Sequence, residues 1–236
     1  MSDYLKEAYR LGPRQYDGSC PVGSALNLLG DRWTLSLLKE LQFGGRRFSD
    51  LKGSLPGLSA RALSLRLGQL EERRLVTQVR LSSPASVNVY QLTDRGLRTR
   101  AIIVELVRWA VASGDFDPAD SSSSSSLAMS LLALFQPKEQ LPQKASIRFV
   151  SAELNFVLRI SDGTGTIVID DPDPADAEIA GTVPALAGYL FGKSGSVPTF
   201  GHKWFNCRGD RALIENLPLW FDRSTDLSGM PDAHHC

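Results

Sequence analysis

Between positions 46 and 69 the chain carries Arg46, Arg47, Lys52, Ser59, Arg61, Ala62, Leu65, Arg66 and Gln69. These residue types suit a polyanion with readable edges. A guanidinium donates two parallel hydrogen bonds to a phosphate or to the O6 and N7 of a guanine, and a carboxamide can pair with the N6 and N7 of an adenine. Arg61 and Gln69 are therefore candidate base readers. Ser59 can cap a helix and also donate to a phosphate, and Arg46, Arg47 and Lys52 are candidate backbone contacts. Arg80 and Asn88 flank a turn-rich tip that could lie along a minor groove. A plainer reading exists for each Arg, as charge on a solvated helix face.

Such groups act together only if helices and strands put them on one face. PVGSALNLL at Pro21–Leu29 opens with Pro inside a helix start and closes at Gly30. Asp31 caps RWTLSLLKELQF, where Trp33, Leu37, Leu38 and Leu41 share a face and Gly44-Gly45 stop the helix. FSDLKGSL is a short helix ended by Pro56-Gly57. Ser59 caps SARALSLRLGQLEERR, whose Leu63, Leu67 and Leu70 form an inward stripe. Its opposite face carries Arg61, Ala62, Leu65 and Gln69, with Arg66 flanking. Arg73 and Arg74, beside Glu71 and Glu72, read as surface charge. Two β runs, Val76/Val79/Leu81 and Val87/Val89/Tyr90, enclose a tip at Ser82–Ser86. Thr93 then caps one long helix, DRGLRTRAIIVELVRWAVAS. The order is that of a helix-turn-helix with a wing, in which the second helix enters the major groove of double-stranded DNA.

The last helix carries Ile102, Ile103, Leu106, Val107, Trp109, Ala110 and Val111, an apolar stripe wider than one small domain needs. With Tyr4–Leu11 it points to a homodimer, which would set two recognition helices about 34 Å apart on a pseudo-palindromic site.

Charge supports the division of labour. The 236 residues hold 26 Lys and Arg against 26 Asp and Glu, but residues 1–112 hold 17 against 10 and residues 113–236 hold 9 against 16. A +7 segment on a neutral chain is the footprint of a nucleic-acid-binding domain joined to one with another task, although two halves docking on each other would give the same balance. Ser113–Ser126, SGDFDPADSSSSSS, has little to bury and reads as a flexible linker.

Residues 20–112 resemble the HxlR-type winged helix-turn-helix regulators. The likeness is carried by CPV at Cys20–Val22, GDRWTLSLLKEL at Gly30–Leu41, RRFSDLKGSLPGLSARALSLRLGQLEE at Arg46–Glu72 and YQLTDRG at Tyr90–Gly96. It implies DNA binding, dimerisation through the terminal helices and control of transcription, with repression the expected sign. One position departs from the pattern. The family has Gly before the Leu-Val that begins the wing, and here Arg74 stands there. Either the helix ends differently or Arg74 adds a phosphate contact. Some relatives of this type sense oxidants or electrophiles with a Cys at the place of Cys20, which makes it a candidate redox thiol; a small, unreactive Cys is the alternative.

The C-terminal part reads as a helix, four antiparallel strands, a helix, a strand and a final helix capped by Asp210, with Asp162-Gly163 as a hairpin turn. This order, with DGTGTIVID, PALAGYLFG and FGHKWFNCRGDRALIENL, resembles the sterol-carrier-protein (SCP2-like) fold. The resemblance implies an apolar tunnel, with Phe149, Phe156, Leu158, Ile167, Leu186, Leu190 and Trp204 as candidate lining for an apolar small-molecule effector. The same residues could equally form a solid core.

The expected fold is thus a mainly α winged helix-turn-helix domain (1–112), a Ser-rich linker (113–126), an α+β SCP2-like domain with an antiparallel sheet (127–222) and a flexible tail (223–236). There is no GxSxG, HExxH, CxxC or P-loop, so neither an enzyme nor a cofactor is expected. His202 is the only His inside a domain, and His234, His235 and Cys236 sit in the tail without fixed geometry, so no metal is expected. Apolar stretches fall well short of a membrane span, the N-terminus lacks a signal core, and Cys20, Cys207 and Cys236 are few and scattered, which together suggest a cytoplasmic protein without membrane contact. The reading is a dimeric transcriptional regulator whose second domain binds an apolar effector or aids dimerisation. The alternative is a lipid or small-molecule carrier whose winged domain no longer binds DNA.

Overall fold

In the computed structural model, the described residues are 16, 19–81, 87–121, 123–136, 142–152, 155–192 and 205–222. The expectations placed on Tyr4–Leu11, the Ser82–Ser86 tip, His202, Trp204 and the tail lie outside them. The chain forms two compact units, Met1–Leu38 with Arg46–Gly96, and Lys39–Gly45 with Leu97–Cys236.

The first unit follows the hydrophobic periodicity closely. Helices α1 (Pro21–Leu29), α2 (Thr34–Leu41), α3 (Phe48–Ser54) and α4 (Ala60–Glu72) precede strands β1 (Val76–Leu81) and β2 (Val87–Leu92). On α4, Leu63, Leu67 and Leu70 are fully enclosed, as are Leu51 on α3 and Leu58 before α4. Each such burial contributes about 1.5–3 kcal/mol. The strands pair antiparallel from Val76↔Leu92 to Leu81↔Val87. A short bridge joins Arg46 to Tyr90, with Arg46 N–H to Tyr90 O at 2.9 Å and Tyr90 N–H to Arg46 O at 2.8 Å. The chain entering α3 is thereby fastened to the wing.

The single long helix expected after Thr93 is two helices, α5 (Asp94–Leu97) and α6 (Thr99–Ala112). Thr93 does cap the first, its Oγ1 accepting from Gly96 N–H at 3.1 Å. The two helices are held at different points. A Cβ on Gly96 would lie 2.1 Å from Leu75 O, so the backbone of α5 is pressed onto the start of β1. Thr99 is buried and accepts from Gln42 Nε2 at 3.1 Å within the second unit. Helix α6, expected in the first domain, groups with the C-terminal unit.

The linker expectation is also corrected. Residues Pro118–Asp120 form a 3-10 turn capped by Asp117, and Ser124–Leu134 is helix α7, capped by Ser123 Oγ, which accepts from Ser126 N–H. Ser121, Ser124 and Ser125 are buried. Serine is small enough to be enclosed, and these hydroxyls find partners. Ser125 Oγ donates to Glu40 Oε1 at 2.7 Å, Ser124 Oγ and Ser151 Oγ share a hydrogen bond at 2.9 Å, and Lys39 Nζ donates to Ser126 Oγ at 2.9 Å.

The second unit is a five-stranded sheet, order β5-β4-β3-β6-β7, from β3 (Lys144–Val150), β4 (Phe156–Ser161), β5 (Thr164–Ile169), β6 (Ala177–Gly181) and β7 (Phe205–Gly209), with helices α8 (Val183–Phe191) and α9 (Arg211–Asn216). It is mixed, not antiparallel, because β3 and β6 run parallel. The Asp162-Gly163 hairpin forms as expected, both residues having positive φ (49° and 77°). After β5 the chain must cross from the edge of the sheet to the far side of β3. Arginines on β3 and β4 secure that crossing. Arg148 donates to the carbonyls of Asp171 and Asp173, and Arg159 Nε reaches Asp171 Oδ2 at 2.5 Å and its terminal nitrogen reaches Asp173 Oδ2 at 3.2 Å. Asp176 Oδ2 accepts from Ser146 N–H at 2.8 Å and its Oγ at 2.7 Å.

The hydrogen bond from Arg159 holds the buried Asp171 carboxyl below its ordinary value, with the charges of Arg159 and Arg148 adding to it. A depressed folded pKa stabilises the fold above the ordinary value of about 3.9 and loses that contribution as pH falls through the folded value. Thermal melts of wild type and Asp171→Asn should therefore differ at neutral pH and converge as pH drops below about 4. A gap independent of pH would assign the effect to packing alone.

Candidate nucleic-acid interface

Helix α4 is set by its cap and its stripe. Ser59 Oγ accepts from Ala62 N–H at 3.2 Å, and the buried Leu63/Leu67/Leu70 row turns the opposite side to solvent. On that side Arg61 is exposed and Leu65, a large apolar side chain, is 63% exposed. Ala62 is half-buried. Arg47 is exposed at the start of α3, where its N–H donates to Asp50 Oδ2 at 3.2 Å, and Lys52 is half-buried on the same helix. Arg46 is half-buried, its backbone committed to Tyr90. Arg80 and Asn88 are exposed and directly opposed across the wing strands.

The flanking Arg66 and the expected reader Gln69 are both partly committed within the unit. Arg66 forms an ion pair with Asp31, so its charge is already answered within the unit. Gln69 is half-buried, its Oε1 enclosed and without a hydrogen-bond partner among the described residues. Position 69 lies between the outward face and the buried row, a distinction that helical periodicity alone draws only coarsely.

The C-terminal end of α4 carries what residue type alone did not reveal. Arg73 is no idle surface charge. One of its terminal nitrogens donates to Asn27 O at 2.6 Å and Leu28 O at 3.1 Å, at the end of α1. The available signal was spacing, because Arg66, Leu70 and Arg73 fall on one helical edge. Arg74 takes a left-handed backbone conformation, φ 56°. Its N–H bonds to Glu71 O at 2.9 Å, and Leu75 N–H bonds back to Leu70 O at 2.9 Å. This is the helix ending that normally uses Gly. The helix ends in the usual geometry despite the substitution, and the Arg74 carbonyl accepts from Thr93 Oγ1 at 2.7 Å.

Cys20 is the N-cap residue of α1, exposed, and its side chain caps no backbone N–H. Val22 and Leu26 on α1 are 66% and 39% exposed. On α6, Ile102, Leu106 and Trp109 are 44%, 44% and 56% exposed at i, i+4, i+7 spacing, an apolar row open to solvent, while Ile103 and Val111 are buried.

In the second unit Phe149, Phe156, Leu158, Leu186 and Leu190 are fully enclosed, and the Phe149 and Phe156 rings stack with centroids 4.9 Å apart. Ile167 is half-buried on the edge strand β5. Burial raises the Cys207 thiol above its ordinary range. Among the described residues no group of His, Cys, Asp and Glu is arranged to hold a metal, and no helix is long and apolar enough to cross a membrane.

Comparison with known proteins adds to this geometry. The family described as HxlR-like helix-turn-helix matches residues 28–116. The HTH-type transcriptional regulator YodB of Bacillus subtilis is 36% identical over 93 residues, covering 39% of this chain and 82% of YodB. The uncharacterized HTH-type transcriptional regulator Rv3095 of Mycobacterium tuberculosis H37Rv is 44% identical over 88 residues, 37% of this chain and 55% of the relative. The chain thus spans about half the length of that mycobacterial protein. Among solved structures, the reduced form of YodB from B. subtilis aligns at 33% identity with a TM-score of 0.36, covering 39% of this chain and 90% of that one.

A left-handed non-Gly residue costs roughly 1–2 kcal/mol. Arg74→Gly should therefore raise stability by about 1 kcal/mol in denaturant melts. A loss of stability would mean that the Arg74 side chain contributes more than its backbone strain costs.

Proposed function

Because the chain belongs to the HxlR-like helix-turn-helix family, we propose that it is a sequence-specific DNA-binding transcriptional regulator, acting as a homodimer and as a repressor. One observation carries this reading: α4, capped by Ser59 and held by its leucine row, turns Arg61 and Leu65 to solvent, follows the cationic start of α3 in the chain and contacts the wing strand β1. The recognition helix would lie in the major groove, with Arg61 on a guanine edge and Leu65 against a thymine methyl. Arg46, Arg47 and Lys52 would meet phosphates, and Arg80 and Asn88 would follow the minor groove. The exposed row Ile102, Leu106 and Trp109 on α6 is the surface a second copy would cover.

We further propose an SCP2-like role for the second unit, in which an apolar small molecule binds beside the Phe149/Phe156 core, or the unit reinforces the dimer. Its acidic composition keeps it off DNA. A ligand preferring one arrangement of the dimer would shift the spacing of the recognition helices and so control binding. Cytoplasmic location and the absence of catalysis belong to the same reading. Cys20 is the residue through which a thiol reagent would act.

The test begins with selection of duplexes from a random pool. Wild type should enrich a pseudo-palindrome with half-sites about one helical turn apart, and no enrichment would end the DNA-binding reading. Arg61→Ala should lower affinity for the selected duplex by about 1–3 kcal/mol and relax one position, whereas Arg47→Ala should weaken selected and scrambled duplexes alike and reduce the salt slope by about one. Native mass spectrometry should show a dimer that Trp109→Glu converts to monomer; a wild-type monomer would remove the twofold site. The same spectra would reveal a retained apolar adduct.

A further inference from the structure

We propose that Arg73 is a positioning residue for DNA recognition, clamping the end of the recognition helix α4 to the end of α1. The proposal rests on the reading of α4 as the DNA-binding helix. The last carbonyls of a helix have no partner within it and must find donors elsewhere. At the end of α1, Gly30 N–H satisfies Leu26 O, and the Arg73 guanidinium takes the next two, Asn27 O at 2.6 Å and Leu28 O at 3.1 Å. A cation at a helix C-terminus is also favoured by the helix dipole. Arg66, two turns earlier on the same edge of α4, pairs with Asp31 just past α1. These two guanidiniums, one on α4 and one at its end, therefore grip one corner of the fold from two points.

The clamp extends at both ends. Asn27 binds the Tyr16 backbone in both directions, accepting from its N–H at 2.6 Å and donating to its carbonyl at 3.0 Å. The Arg73 carbonyl accepts from an Arg95 terminal nitrogen at 3.1 Å, so α5 is tied to the same residue. Helix α1 meanwhile exposes Val22 and Leu26. Through Arg73 the helix that bears this exposed face is bonded directly to the end of α4.

A positioning role and a phosphate contact give different salt dependence, because a side chain that neutralises no phosphate releases no counterion. Full-length wild type, Arg73→Ala and Arg73→Lys would be titrated, across a salt series, with a duplex selected from a random pool by wild type and with its scrambled counterpart. Arg73→Ala should lose about tenfold or more on the selected duplex, with little change on the scrambled one and an unchanged salt slope, and Arg73→Lys should recover most of the loss. Hydrogen exchange in Arg73→Ala should quicken across Pro21–Leu29 and stay unchanged across Lys144–Val150. Equal losses on both duplexes with a salt slope lower by about one would make Arg73 a phosphate contact and overturn the proposal; so would full specificity in Arg73→Ala. If wild type selects no duplex, the DNA reading fails and the positioning role falls with it. The exchange data then judge only the clamp, which unaltered protection of α1 would disprove as well.

Discussion

The outward face of the N-terminal unit is decided by what must be hidden. Leu63, Leu67 and Leu70 recur at the spacing of one helical face and are enclosed almost completely. Their burial contributes several kcal/mol together, more than any surface ion pair on the same helix. Rotating α4 about its axis would expose that row, so the helix has one orientation. The position of Arg61 and Leu65 in solvent, the enclosure of Gln69 Oε1 and the reach of Arg66 and Arg73 toward α1 are all consequences of that single constraint.

The second unit obeys a different constraint. A parallel pair within a mostly antiparallel sheet requires a connection that crosses from one edge to an interior neighbour. The segment between β5 and β6 makes that crossing with four aspartates, Asp170, Asp171, Asp173 and Asp176. Their charge would oppose such a tight route were it not answered by Arg148 and Arg159 and by the Ser146 N–H and hydroxyl. What looks in sequence like an acidic turn is an anchored crossover.

Local signals gave the elements of the winged unit nearly residue by residue, because caps and leucine spacing are properties of short segments. The same logic placed the Asp162-Gly163 turn and the Ser59 and Asp210 caps. It failed where the deciding partner lies far along the chain. The Ser run has no apolar side chains of its own, yet Ser124 and Ser125 are enclosed because Ser124 shares a hydrogen bond with Ser151 Oγ and Glu40 accepts from Ser125. Strand direction within the sheet was likewise invisible, since alternation does not distinguish a parallel neighbour from an antiparallel one. Of the candidate interface, the exposed cations were legible and the committed ones were not. Arg61 and Arg66 on α4 and Arg73 at its end are the same residue type, and only tertiary partners separate the two that hold the fold from the one turned to solvent.

The bond between Glu40 and Ser125 has a temporal consequence. Its two residues are 85 positions apart, and the segment Lys39–Gly45 belongs to a unit whose remaining chain begins at Leu97. On a ribosome, Glu40 emerges long before the hydroxyl that will enclose it is synthesised. Until then its carboxylate stays in water, and closing so large a loop carries an entropic cost that local helices do not meet. The winged unit can consolidate early, since its leucine row needs only nearby sequence, whereas the second unit must recover a strip of chain made before it. Vectorial synthesis therefore lets the winged unit form from chain already made while the second unit still waits for its partners.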